Sequence, residues 1–339
     1  MDRIKNDLVY GFKHLGYTCC RFGIVTISRR ATMNGLEGGG GPSDRRQDLP
    51  VSKVKQELMS VISRNQTTIV VGDTGSGKST QIPRFLMEST GAGIACTQPR
   101  RVAAKSLAER VAEECGFQLG QQVGYKVALE DCTSPATRLS FLTDGMLLRE
   151  AQADANFSKY KYIMLDEAHE ATLCTDLLLG LVKTALKRRP ELRLVVSSAT
   201  INAERFSMFF DGAPAFKIPG RPWRVDICYE QNPVEDPVAK SVDKVIEVHL
   251  TESAGDILVF LPGQEEIEIV CTALSRQMMA RGSVLGGLIV LPFHASLPDE
   301  AQTKVFEPTL PGLRKIVVAT NLAETSLTIG EVNIDELFD

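Results

Sequence analysis

The segment Gly72-Asp73-Thr74-Gly75-Ser76-Gly77-Lys78-Ser79 has the composition of a loop that holds phosphate. Glycines let a backbone turn tightly enough for successive N–H groups to face inward and meet anionic oxygens. A helix starting directly after such a loop adds the positive end of its dipole. In that chemistry Lys78 reaches the terminal phosphates and Ser79 offers its hydroxyl to Mg²⁺. The pair Asp166-Glu167, within Asp166-Glu167-Ala168-His169, is the second candidate. Two adjacent carboxylates permit a division of labour, one neutralising a metal and the other deprotonating a water. An isolated acidic pair reads equally well as the solvated start of a helix. Its place after the apolar run Tyr162–Leu165, about ninety residues beyond the glycine-rich loop, favours the chemical reading. Ser198-Ala199-Thr200 is weaker, because small hydroxyl residues often cap helices and Asn202-Ala203-Glu204-Arg205 would accept such a cap.

Those groups need strands that end together. Thr68–Val71, directly before the loop, is short and β-branched, and a helical pattern from Thr80 to Met87 follows the loop. Similar runs recur at Gly93–Thr97, Leu139–Leu142, Tyr162–Leu165 and Leu192–Ser197. A second series lies at Ile257–Leu261, Leu288–Leu291 and Lys315–Ala319. Short apolar strands alternating with amphipathic helices predict parallel sheets wrapped by helices. The stretch Ile218-Pro219-Gly220-Arg221-Pro222-Trp223 separates the two series. The expected class is therefore α/β, with domains at 49–220 and 221–339. Before them, Gly38-Gly39-Gly40-Gly41-Pro42-Ser43 and the charged Asp44-Arg45-Arg46 predict a flexible extension over 1–48.

Composition narrows the class. The 339 residues suit two domains, and 43% hydrophobic with 24% charged residues is ordinary for a globular chain. No run approaches the roughly 18 apolar residues that span a bilayer, so no membrane partner is expected. Scattered charges at Asp2, Arg3, Lys5, Asp7 and Lys13 do not read as a secretory signal, although basic and serine content leaves a transit-peptide reading open. The eight cysteines lack any C-x-x-C spacing, which disfavours zinc ligation and disulfide stapling. A formal charge of −4 excludes whole-surface attraction to nucleic acid, so any such binding requires a local basic groove.

In order, the motifs resemble those of a DEAH-box RNA helicase over roughly Leu49 to Ile329. They comprise the phosphate loop, Thr97-Gln98-Pro99-Arg100-Arg101-Val102-Ala103-Ala104, Thr143-Asp144-Gly145, D-E-A-H and S-A-T. Leu258–Ile267, containing L-P-G-Q-E-E-I, and Thr320–Ile329, containing A-E-T-S-L-T-I, follow. The longer strings are similar to the branch that remodels spliceosomal and pre-ribosomal complexes. The order disfavours a P-loop transporter or motor ATPase.

The resemblance implies two tandem RecA-like parallel-sheet domains, the second incomplete, closing on ATP with single-stranded RNA across both. Carried onto matching positions, it implies that Gly72, Thr74, Gly75, Ser76, Gly77, Lys78, Ser79 and Thr80 cradle phosphate and metal. Ser79 and Asp166 would hold Mg²⁺, Glu167 would be the general base, and His169, Ser198 and Thr200 would couple the sites. Arg110 and Phe306 match the pair that sandwiches adenine; by residue type alone they read as a solvated helix arginine and a core phenylalanine. Arg101, Thr143 and Thr325 match positions that grip the RNA backbone without reading sequence. Implied partners are RNP complexes and a glycine-patch activator, with a monomeric state and a nuclear location.

Three departures stand out. Ala171 occupies the usual arginine position after D-E-A-H-E. Ala128, in Val127–Asp131, replaces a basic residue that helps bend the RNA. After Thr328-Ile329 the chain reads Gly330–Asp339, without the Q-R-x-G-R-x-G-R element that supplies the family's arginine finger. A truncated product is therefore expected, and the rival reading is a catalytically impaired RNA- or RNP-binding module.

Overall fold

The structure, a computed structural model, describes residues 7–11, 23–28, 49–73, 75–199, 203–220, 225–229, 234–251, 255–281, 287–310 and 312–320. The chain divides into two compact units, Gly38–Arg221 and a second made of Met1–Glu37 with Pro222–Asp339.

Strands β1 (Asp7–Gly11) and β2 (Gly23–Ser28) come first in the chain. The Gly38–Arg221 unit then supplies β3 (Thr67–Val71), β4 (Ile94–Gln98), β5 (Val123–Val127) and β6 (Glu130–Cys132). It continues with β7 (Leu139–Thr143), β8 (Tyr162–Leu165), β9 (Arg193–Ser198) and β10 (Ala215–Lys217). These eight form one sheet in the order β10-β3-β9-β8-β4-β7-β5-β6. Every neighbouring pair is parallel except the edge pair β5–β6.

Parallel strands covered on both faces read as continuous apolar runs, because neither face meets water. Accordingly β3, β4 and β8 are buried at every position. One face packs against α1 (Pro50–Lys53), α2 (Lys55–Arg64), α3 (Lys78–Thr90) and α4 (Arg101–Cys115), around Leu58, Ile62, Phe85, Leu86 and Val111. The other packs against α5 (Asp144–Ala153), α6 (Leu173–Arg188) and α7 (Ala203–Phe209), around Leu147, Leu178, Val182 and Phe210. Each such side chain, fully buried, stabilises the fold by about 1.5–3 kcal/mol relative to exposure.

The register brings the motifs to one edge. Val71 pairs with Ser198, Leu165 with Val196, Thr97 with Leu165, and Gln98 with Thr143. Five strands thus finish side by side, and each is followed directly by a motif-bearing turn.

The second unit holds β11 (Val225–Tyr229), α8 (Pro237–Thr251), β12 (Gly255–Phe260) and α9 (Gln264–Arg281). It also holds β13 (Leu288–Phe293), α10 (Asp299–Thr303) and β14 (Arg314–Ala319). Its sheet runs β11-β1-β2-β12-β14-β13. The core of this unit gathers Val245, Val248, Ile257, Val259, Ile267 and Ile316.

This sheet corrects the expected extension over 1–48. β1 pairs in parallel with β11, and β2 pairs antiparallel with both β1 and β12. The runs Leu8-Val9-Tyr10 and Ile24-Val25-Thr26-Ile27 have the β-branched and aromatic character that strands favour. The glycine-rich patch after them masked that signal.

Candidate functional site

Construction of the site starts at the end of β3. The amide of Gly72 donates to the carbonyl of Ser198 at 3.2 Å, which fastens the start of the loop to the end of β9. Gly75 and Gly77 have φ of 71° and 91°, a left-handed conformation that L side chains resist. At Gly77 an added Cβ would also lie 2.9 Å from Cγ1 of Val51. α3 then opens at Lys78, and the amides of its first turn have no carbonyl of their own helix to bond. Ser76 Oγ is buried in the loop without a hydrogen-bond partner among the described residues.

Lys78 is buried, and its ammonium donates to the carbonyls of Gly72 and Asp73. The charge thereby stays inside the loop. Its field also reaches His169, because the Lys78 charge is among the causes that lower the His169 pKa. The charge of the loop lysine is thus felt at His169 of the acidic turn.

The acidic turn follows β8. Asp166 is buried; its Oδ1 accepts from the hydroxyl of Ser197 and its Oδ2 from Nε2 of Gln98 at 2.7 Å. Two neutral donors from the flanking strands β9 and β4 thus fix the carboxylate in place. Glu167 is also buried and sits at φ 51°, and Ala171 sits at φ 46°. Between them Ala168–Glu170 form a single 3₁₀ turn. Left-handed conformations in non-glycine residues cost roughly 1–2 kcal/mol each and persist only where the surroundings enforce them.

His169 bridges the turn to the end of β9. Its Nδ1 accepts from the amide of Ala199 at 3.4 Å, so the neutral ring carries its proton on Nε2. That nitrogen faces Oε2 of Glu167 at 3.5 Å. Burial lowers the imidazole pKa below its ordinary value, with Lys78 and Arg100 pushing the same way and Glu170 and Asp166 opposing them. The neutral imidazole beside Glu167 adds no positive charge of its own to that carboxylate.

Fit to a magnesium ion rests on the donor set. Ser79 and Asp166 offer a hydroxyl and a buried carboxylate, both hard oxygen donors. A site of that kind suits Mg²⁺, which takes one or two protein oxygens and completes its shell with water and phosphate. The residues fit the ion.

Other expected positions are distributed as follows. Thr80 accepts from Nε2 of Gln81 at 3.1 Å. The Arg110 side chain is 55% exposed, and its Nε donates to Glu114 at 3.1 Å. Phe306, in the second unit, is half-buried and meets Phe293 edge to face, with ring centroids 6.0 Å apart. Arg101 opens α4 and pairs with Glu130 at 3.1 Å, and Lys105 meets the same carboxylate at 2.7 Å. Thr143 is the residue before α5. Thr74, Thr200 and Thr325 lie outside the described residues.

Sequence reasoning missed Gln98 and Ser197, the two donors to Asp166. Ser197 sits one position before Ser198, whose hydroxyl had been expected to carry the coupling. The signal for both was available, since a polar residue at the carboxyl end of a central parallel strand is out of character there. Ion pairing of Arg100 with Glu170, at 3.5 Å, was also missed.

Comparison with known families agrees with this geometry. The DEAD/DEAH box helicase family matches residues 52–208, which contain the loop, the acidic turn and the ends of β4, β7 and β9. The helicase conserved C-terminal domain matches residues 240–335. Both matches together, each on its own RecA-like α/β unit, place the chain among the superfamily 2 helicases, enzymes that use ATP to act on nucleic acid.

Proposed function

We propose that this chain is a DEAH-type RNA helicase that hydrolyses ATP to move along single-stranded RNA within RNP complexes, in splicing or ribosome assembly. The observation that carries the reading is the buried Asp166–Glu167 turn, held by Gln98, Ser197 and His169 within the field of Lys78. In this reading the amides of the glycine-rich loop and Lys78 hold the β- and γ-phosphates. Ser79 and Asp166 would hold Mg²⁺, which would supply positive charge against the phosphate oxygens. Glu167 orients a water in line with the γ-phosphorus and takes its proton.

Arg101, at the start of the helix that follows β4, and Thr143, at the end of the neighbouring β7, would grip the sugar–phosphate backbone. Contacts of that kind give affinity without sequence choice, as a translocating enzyme requires. Adenine would stack on Arg110, a contact that tolerates other bases. A glycine-patch activator, a monomeric state and a nuclear location belong to the same proposal.

The test is phosphate release with and without oligouridylate. Turnover that rises with RNA and vanishes in Lys78→Ala supports the reading. Nucleotide binding without turnover in the unaltered chain overturns it in favour of a non-catalytic binding module.

A further inference from the structure

Asp144, the first residue of α5, has no role in the scheme above and is nevertheless 3% exposed. Its Oδ2 accepts from the Thr175 hydroxyl at 2.5 Å and lies 3.5 Å from the Thr172 hydroxyl. Thr172 is the N-cap of α6, accepting from the amide of Thr175 at 3.1 Å, and the two hydroxyls lie 2.7 Å apart. Hydrogen bookkeeping fixes the direction of the chain. Thr175 has one hydroxyl proton, and it goes to Asp144, so between the two hydroxyls Thr172 must be the donor.

This arrangement sits between two places that matter. Upstream, Asp144 is bonded covalently to Thr143, at the end of β7. Downstream, Thr172 follows Ala171, the left-handed residue that closes the turn bearing Glu167. The far end of that turn is thus tied to the start of α5 through three side chains, all buried or half-buried.

Stability does not account for a carboxylate here. Oδ1 of Asp144 is buried, with the Thr97 hydroxyl as its neighbour. Burial raises the carboxyl pKa and the Glu170 charge adds to the rise, with the Thr175, Thr97 and Thr172 hydroxyls opposing it. Taking a carboxylate out of water is costly even where hydroxyl groups surround it. A group retained at that expense, linking two functional turns, suggests a task beyond packing.

We infer that Asp144 is a positioning residue that couples nucleic-acid contact at Thr143 to the placement of Glu167, acting through Thr175 and Thr172. The inference rests on the proposed RNA-directed reading. Engagement of the phosphate backbone at the end of β7 shifts the start of α5. Asp144 passes that shift through the two hydroxyls to the cap of α6, and so to the turn that orients the base.

The experiment compares ATP turnover without RNA and with saturating oligouridylate in the full chain and in Asp144→Ala, Asp144→Asn, Thr175→Val and the Ala/Val double variant. In Asp144→Ala and Thr175→Val the ratio of stimulated to unstimulated turnover should fall about tenfold, within the usual range for coupled sites. The RNA concentration giving half-maximal stimulation should stay the same. Asn keeps a carbonyl oxygen for Thr175, so Asp144→Asn should recover most of the ratio. The double variant should be no worse than either single one, because both remove one link. Thermal melts show whether the variants are folded, and Thr175→Val serves if Asp144→Ala is not. An unchanged ratio in folded Asp144→Ala and Thr175→Val overturns the inference alone, as does an equal fall of both rates. Failure of RNA to stimulate the unaltered chain overturns the RNA-directed reading and the inference with it.

Discussion

The two units solve the same α/β problem in different ways. In Gly38–Arg221, seven of the eight strands run parallel and the chain supplies them from one continuous stretch. The carboxyl ends align, and Asp166 there is buried and held by Ser197 and Gln98. In the second unit the parallel trio β12-β14-β13 is joined to β11 only through the pair β1–β2, drawn from the far end of the sequence. No cluster of buried carboxylates forms at its strand ends among the described residues. Site-building thus depends on register among adjacent parallel strands, which the first unit secures locally and the second assembles from distant pieces.

The sharpest way to break this comparison is to delete residues 1–28. β12 would lose its antiparallel neighbour and β11 would lose its link to the sheet, exposing two unpaired edges. The second unit should lose its cooperative melting transition, while the first keeps its own. Hydrogen exchange should show β12 amides unprotected and β3, β8 and β9 still protected. Protection of β12 in the deletion variant would remove the contrast.

The next effect lies within the first unit. Glu167→Gln should lower ATP turnover by about 10²–10⁴-fold, the usual contribution of a general base. Nucleotide affinity should remain, because the phosphate loop is untouched. Equal loss of binding and turnover would demote Glu167 to a structural residue.

A smaller effect concerns pH. Burial holds the folded His169 pKa below its ordinary 6.5. Between those two values the unfolded chain binds a proton that the native chain lacks. Stability of the first unit should therefore fall as pH drops below about 6.5 and level off once the folded ring takes up its own proton. One such group contributes a slope of at most about 1.4 kcal/mol per pH unit. His169→Asn should flatten that part of a plot of stability against pH, measured by urea unfolding.

The smallest effect is a gain. Ala171 sits at φ 46°, where glycine pays no Cβ penalty. Ala171→Gly should stabilise the first unit by about 1 kcal/mol, less the extra entropy glycine has when unfolded. Urea unfolding at neutral pH reads this directly.

Legibility in the sequence followed the same divide. Tyr162–Leu165 was readable to the residue, and Thr68–Val71 and Lys315–Ala319 to within one, because strands buried on both faces leave uninterrupted apolar runs. The phosphate loop and acidic pair were readable because their chemistry restricts residue type. β5, β6 and β10 were not, since edge strands such as Glu130–Cys132 and Ala215–Lys217 are short and half-polar. The link from Asp144 to its two threonines escaped notice because the bonds span about thirty residues, and side-chain networks of that reach leave no periodic trace.

The swap of strands across the sequence has a consequence for how the molecule is made. β1 and β2 leave the ribosome first, but β11 and β12 follow only at Val225 and Gly255. At about 5–20 residues per second, the early pair waits roughly 10–45 s for its neighbours. The intervening Gly38–Arg221 segment is complete before then and can fold in the meantime. During that interval the nascent pair presents two open edges, so chaperone demand should persist until β12 emerges.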